Sequence, residues 1–110
     1  ANASFHDGGI ATSICEGQNQ DAQVINAQVA DELLNIKGIR ASFVAGVNDK
    51  GTTCISARSL GDINVQVLLE KIGGGGHLNT AGAQVEEKPE EVLEIVLGLL
   101  EKGENNDSNT

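Results

Sequence analysis

The 110-residue chain has no tryptophan, tyrosine or methionine, and its 2 % aromatic content comes from Phe5 and Phe43. A platform of exposed rings for stacking single-stranded nucleic acid is therefore excluded, and the core must rest on Val, Ile, Leu and Ala. Basic residues are also scarce: seven Lys and Arg stand against sixteen Asp and Glu, for a formal net charge of -9. Tracking a duplex requires many phosphate-neutralising cations, so duplex nucleic acid is excluded and any nucleotide ligand should be short. No apolar run approaches the roughly 20 residues that span a bilayer, and Ala1–Gly8 lacks the basic and apolar stretches of a signal peptide. The chain is expected to be soluble and to make no membrane contact of its own. Cys15 and Cys54 lack C-x-x-C spacing and read as buried small hydrophobes of a reducing cytosol. The only histidines, His6 and His77, are far apart in sequence and have no clustered carboxylates beside them. A two-metal hydrolytic centre and a Ser/His/Asp triad both lack their residues, and His6 with Asp7 reads as exposed. No catalytic or metal-binding residue is expected in this chain.

What is present suits one globular domain: 39 % hydrophobic and 21 % charged residues in a chain of single-domain length. Gly9–Cys15 alternates as a half-buried strand. From Asp21 the period becomes helical, with Ala22, Ile25, Val29, Leu33 and Ile36 on one face, Gln23, Asn26, Asp31 and Glu32 on others, and Gly38 as terminator. Arg40–Val47 and Thr52–Ser59 are rich in β-formers, and the turn residues Asn48–Gly51 between them predict a hairpin. On its second strand Thr53, Ile55 and Ala57 face one way and Cys54, Ser56 and Arg58 the other. Val65, Leu68, Leu69 and Ile72 mark a short helix capped by Asp62 or Asn64. Four glycines follow, then a strand over Ala81–Glu86. Pro89 opens a last helix with the stripe Val92, Val96, Leu99 and Leu100, closed by Lys102 and Gly103. The order predicts an α/β domain over residues 9–103, one mixed sheet with helices packed against it. Residues 1–8 are expected to be a linker or expression scar, and 104–110 a disordered polar tail.

Gly73–Gly76 is the stretch that points to chemistry, because consecutive glycines are entropically costly to order. Without Cβ atoms the backbone can reach positive φ and present several N–H donors to an anion; the competing reading is a flexible connector. The Lys-Ser/Thr of a Walker loop is missing after Gly76, and G-x-G-x-x-G fails at Leu78 and Asn79. His77, directly beside the glycines, is placed to donate to a phosphate oxygen or lie against a base. Arg58 suits a bidentate phosphate grip, and equally a solvated strand-end charge or an internal ion pair.

The segments Ile55-Ser56-Ala57-Arg58-Ser59, Asn64-Val65-Gln66, Gly73-Gly74-Gly75-Gly76-His77 and Ala81-Gly82-Ala83-Gln84 together resemble the DHH-associated C-terminal domain of the DHH phosphoesterases. The likeness in element order covers roughly Gly9–Leu100, and the Ser-Ala-Arg-Ser and Asn-Val-Gln segments look most like the bacterial cyclic di-AMP phosphodiesterase branch. The resemblance implies an N-terminal Asp-His-His domain, absent here, that holds manganese, while this domain closes over the substrate. It implies that Arg58 meets phosphate, that Gly73, Gly74, Gly75 and Gly76 offer backbone donors, that His77 meets the scissile phosphate or its nucleotide, and that Asn79 and Thr80 give support. It also implies a membrane-anchored parent with this domain in the cytoplasm, acting on a short nucleotide or cyclic dinucleotide. The oligoribonuclease and phosphoadenosine phosphatase branch is the alternative, but it carries proline where Leu78 stands. A stand-alone nucleotide-binding module is the reading from another class.

Overall fold

The structure, a computed structural model, describes residues 2–108. Its elements in chain order are β1 (Ala3–His6), β2 (Ile10–Gln18), α1 (Ala22–Leu34), β3 (Ala41–Val47), β4 (Thr53–Ser59), α2 (Val65–Glu70), β5 (Gly75–His77), β6 (Thr80–Val85) and α3 (Pro89–Ser108). They form the expected mixed sheet with helices on it, in the strand order β1-β2-β3-β4-β6-β5. β2 and β3 run parallel, joined by α1 as the crossover that parallel neighbours require, and the remaining pairings are antiparallel.

The two faces of the sheet differ in what covers them. Alternation in β3 and β4 sends Phe43, Ala45, Ile55 and Ala57 to one face, where they meet Val65, Leu68 and Leu69 of α2 and Val92 and Val96 of α3. Phe43, Ile55 and Leu69 are among the largest fully buried side chains, so this face holds the main core. The opposite face receives α1, whose Ala30 and Leu33 pack with Ala11, Val44 and Ile39. The β3–β4 hairpin forms as its turn residues predict: Asn48 Oδ1 accepts from the N–H groups of Lys50 and Thr52, and Gly51 takes φ 83°. α2 takes Asn64 and not Asp62 as its cap, with Asn64 Oδ1 accepting from Val67 N at 3.2 Å. Asp62 is engaged elsewhere, accepting from Arg40 Nε at 2.7 Å, and that guanidinium holds its carboxyl below the usual carboxylate range.

Several expectations need correction. Residues before Gly9 are not outside the fold, because β1 pairs with β2 from Ala3↔Ser13 to His6↔Ile10. His6 is half-buried, its Nε2 2.9 Å from the Thr12 hydroxyl. The face of α1 that meets the sheet is Ala22, Asn26, Ala30 and Leu33, and Ile36 is exposed. Asn26 turns inward because it has a partner there: its Nδ2 donates to the Cys54 carbonyl at 2.9 Å. Small residues at Ala22, Ala30 and Gly46 permit the close approach, and a Cβ at Gly46 would stand 2.8 Å from Asn26 Oδ1. α3 runs past Gly103 to Ser108, so part of the expected tail is helical backbone, while residues 109 and 110 lie outside the described residues. Cys15 and Cys54 are unpaired, and burial pushes both thiols up.

Candidate functional site

The glycine run is an edge strand and not a loop. Gly75–His77 forms β5, paired on one side with β6 and without a strand neighbour on the other. Its glycines have separate physical reasons. Gly73 takes φ 90° and closes α2, with its N–H donated to Glu70 O. Gly74 donates its N–H to Leu69 O at 2.8 Å, so that group serves the helix end and is not offered to a ligand. A Cβ on Gly74 would collide with the Gly82 carbonyl, and one on Gly76, at φ 148°, with the Thr80 carbonyl. These two glycines let β5 lie against β6. Gly75 alone of the three strand-side glycines Gly74–Gly76 faces open space, with nothing within 4 Å of a Cβ placed there. As an edge strand, β5 leaves alternate backbone groups pointing away from β6.

Register brings the sequence-identified side chains together. Thr80 is the partner of His77 on one side and of Arg58 on the other, so His77, Thr80 and Arg58 form one row across β5, β6 and β4. Directly paired residues project to the same face, and two inter-strand spacings put Arg58 and His77 roughly 10 Å apart at Cα. The next row on that face is Gly75, Gly82 and Ser56. α1 packs over β2, β3 and β4 and reaches β6 with Gln23, leaving His77, Thr80 and Gln84 exposed beyond it. The result is a shelf: β6 is its floor, β5 its outer rim, and one stripe of α1 its wall. Gln23 and Asp31, eight residues apart, stand at the two ends of that stripe, with the small, half-buried Ala27 between them.

Arg58 is held in place on this shelf. Its Nε donates to Asp31 Oδ1 at 2.9 Å and its Nη1 to the Ala57 carbonyl at 3.0 Å. The side chain is 17 % exposed against 62 % for Asp31. The internal ion pair left open by sequence is thus present, and with Nε on Asp31 and Nη1 on the Ala57 carbonyl only Nη2 is left without a partner among the described residues, a single donor nitrogen and not a bidentate fork. The His77 imidazole has no hydrogen-bond partner among the described residues either. The hairpin tip behind it is tied down: Leu78 O accepts from Val65 N and Asn79 O from Ser59 N, which fixes His77 relative to β4 and α2. Asn79 contributes through that carbonyl, and its side chain is exposed.

Sequence reasoning missed the wall. Gln23 Nε2 donates to Ile55 O at 3.2 Å and to Ser56 Oγ at 3.0 Å, and Ser56 Oγ donates to Gln23 O. The placement of Gln23 and Asp31 on one helical stripe was the one available signal, and it looks the same as a solvated helix face. Among the described residues no three His, Cys, Asp or Glu side chains gather as metal ligands, and the resemblance assigns manganese to the N-terminal Asp-His-His domain and not to these residues. No helix among them is long and apolar enough to cross a membrane. A surface hollow of about 590 Å³ between Phe5, His6, Ile10, Leu97 and Leu100 lies away from the shelf.

Comparison with known proteins identifies the family and agrees with the fold. The chain is 49 % identical over 83 residues to the cyclic-di-AMP phosphodiesterase GdpP of Geobacillus thermodenitrificans, covering 76 % of this chain and 13 % of that protein. It is 46 % identical over 83 residues to the cyclic-di-AMP phosphodiesterase PdeA of Listeria monocytogenes, covering 76 % and 12 %. The chain therefore spans about an eighth of the length of these relatives. Among solved structures, an exopolyphosphatase-related protein from Bacteroides fragilis superposes with a TM-score of 0.74 at 25 % identity, covering 92 % of this chain and 31 % of that one. The DHHA1 domain family matches residues 7–102, nearly the whole sheet and its helices, and the chain belongs to that family.

Proposed function

We propose that this domain grips the phosphate and one nucleotide of a short cyclic adenine dinucleotide on the shelf between α1 and β5, as the substrate-holding part of a larger phosphodiesterase. The observation that carries the proposal is the row of Arg58, Thr80 and His77, which runs from Arg58 at the edge of α1 onto the strip of β6 and β5 that α1 leaves uncovered. The free Nη2 of Arg58 and the Thr80 hydroxyl can donate to phosphate oxygens, with Asp31 fixing the direction of the guanidinium. His77 stands where its ring can donate to a neighbouring phosphate oxygen or lie against a base. The outward N–H groups of β5 add donors that need no side chain, and Gly75 keeps their approach open. Asn79 supports the rim through its backbone.

The relatives' activity on cyclic di-AMP supports the adenine dinucleotide as ligand. The shelf is open to water and the chain carries a net charge of -9, so the isolated domain should hold an anion weakly. Closure by another part of the parent, the Asp-His-His domain that carries manganese by resemblance, would exclude that water and supply the chemistry. That parent is proposed to be anchored in a membrane with this domain on the cytoplasmic side.

Titration of the chain with cyclic di-AMP tests the proposal. Arg58→Ala should weaken binding about tenfold or more, as loss of a charge-assisted hydrogen bond does, and His77→Ala should weaken it as well. The chain alone should not hydrolyse the ligand, with or without manganese. Unchanged affinity in both variants, or turnover by a clean preparation, contradicts the proposal.

A further inference from the structure

We infer that Gln23 reads the base: its carboxamide oxygen accepts from the exocyclic amino group of an adenine lying beside the amide over Gly75, the row partner of Gly82 and one row along the sheet from the phosphate grip. The inference rests on the proposed function, since it needs the phosphate at Arg58.

The carboxamide of Gln23 is oriented by its own hydrogen bonds. Its Nε2 donates to both Ile55 O and Ser56 Oγ, at 3.2 and 3.0 Å, which uses both N–H groups on the sheet. With the nitrogen committed, the amide cannot turn over, and Oε1 is left as an acceptor without a donor among the described residues. Gly82 completes the geometry. A Cβ there would stand 2.9 Å from Gln23 Nε2 and 3.2 Å from Ile55 O, so the absence of a side chain is what lets the amide settle over β6.

The neighbourhood suits a base more than a second phosphate. Beyond the amide, Gly75 leaves open space over the backbone, with nothing within 4 Å of a Cβ placed there, and Gln84 and Thr80 on the same face of β6 are exposed and uncharged. Ser56 and Arg58 are two residues apart on β4, so the amide lies roughly 7 Å along the strand from the guanidinium row. A fixed acceptor discriminates strongly. It favours a base that offers N–H at the meeting point and opposes one that offers a carbonyl oxygen there, because two acceptors facing each other leave both unpaired.

Comparing cyclic di-AMP with cyclic di-IMP, whose base carries a carbonyl oxygen in place of the amino group, tests this on the intact chain. The chain should prefer cyclic di-AMP by about three- to tenfold, the range of one neutral hydrogen bond. Gln23→Met keeps the length of the side chain and removes the acceptor, and it should bring the two affinities together. Gly82→Ala keeps the amide but displaces it, and should reduce the preference in the same direction, with the dispersed amide spectrum reporting that the fold is intact. Equal affinities in the parent chain, or a preference that survives in Gln23→Met, overturns the inference. If amide shifts still appear at Arg58 and His77 in that case, the phosphate reading stands and only the base reading falls. If neither ligand shifts those residues, both fall.

Discussion

Gly74 and Gly76 lie so close to β6 that a Cβ on either meets a backbone carbonyl, whereas a Cβ on Gly75 meets nothing within 4 Å. The three positions should therefore separate under substitution. Gly74→Ala and Gly76→Ala force β5 away from β6 and should each cost about 1–3 kcal/mol of stability, the usual range for overpacking, measured by urea unfolding. Gly75→Val should unfold at nearly the parent urea concentration and yet lose dinucleotide binding, because its methyl groups stand where a phosphate approaches the edge of β5. The reverse pattern, a destabilised Gly75→Val or a binding-competent one, would show the run to be a connector with no ligand role. Asp31 gives a second test at this scale. The ion pair is too exposed on the Asp31 side to add much stability, and an exposed pair contributes about 0–1 kcal/mol. Asp31→Asn preserves an acceptor for Arg58 Nε and removes a negative charge next to the phosphate position. Affinity for cyclic di-AMP should rise about two- to fivefold at low salt, with the gain shrinking as salt is added. Unchanged or weaker binding would mean that the guanidinium does not meet the ligand's phosphate.

At the scale of elements, what could be read in the sequence depended on whether an element buries a periodic apolar face. α2 and the first part of α3 do, and Val65, Leu68, Leu69, Val92 and Val96 are buried as their spacing predicts. The β3–β4 hairpin was legible from its turn residues and from the alternation that sends Ile55 and Arg58 to opposite faces. β1 was not, because four residues with one aromatic carry no pattern, and it gains its place from pairing with β2. β5 was not, because glycine has no side chain to alternate; only the neighbouring strand makes Gly75–His77 a strand. α1 was legible as a helix but not in its facing. Its inward position Asn26 is chosen by a carbonyl on β4, a partner 28 residues away that no local window contains. The candidate site divides along the same line: Arg58 and the glycine-histidine run stood out by residue type, whereas Gln23 and Asp31 became a wall only when α1 was laid beside β6.

For the whole molecule, the order β1-β2-β3-β4-β6-β5 and the placement of helices explain why the shelf exists at all. α2 and α3 cover one face, α1 covers part of the other, and the strip of β6 and β5 beyond α1 is left uncovered by any helix. The central claim, that this strip is where the dinucleotide's phosphate sits, is tested most directly by mapping backbone amide shifts of the chain during titration with cyclic di-AMP. The account predicts changes concentrated at Arg58, Gly75, Gly76, His77 and Thr80, with smaller ones at Gln23, Ala27 and Asp31 along α1. Changes confined to the hollow formed by Phe5, Ile10, Leu97 and Leu100, with the shelf silent, would contradict it.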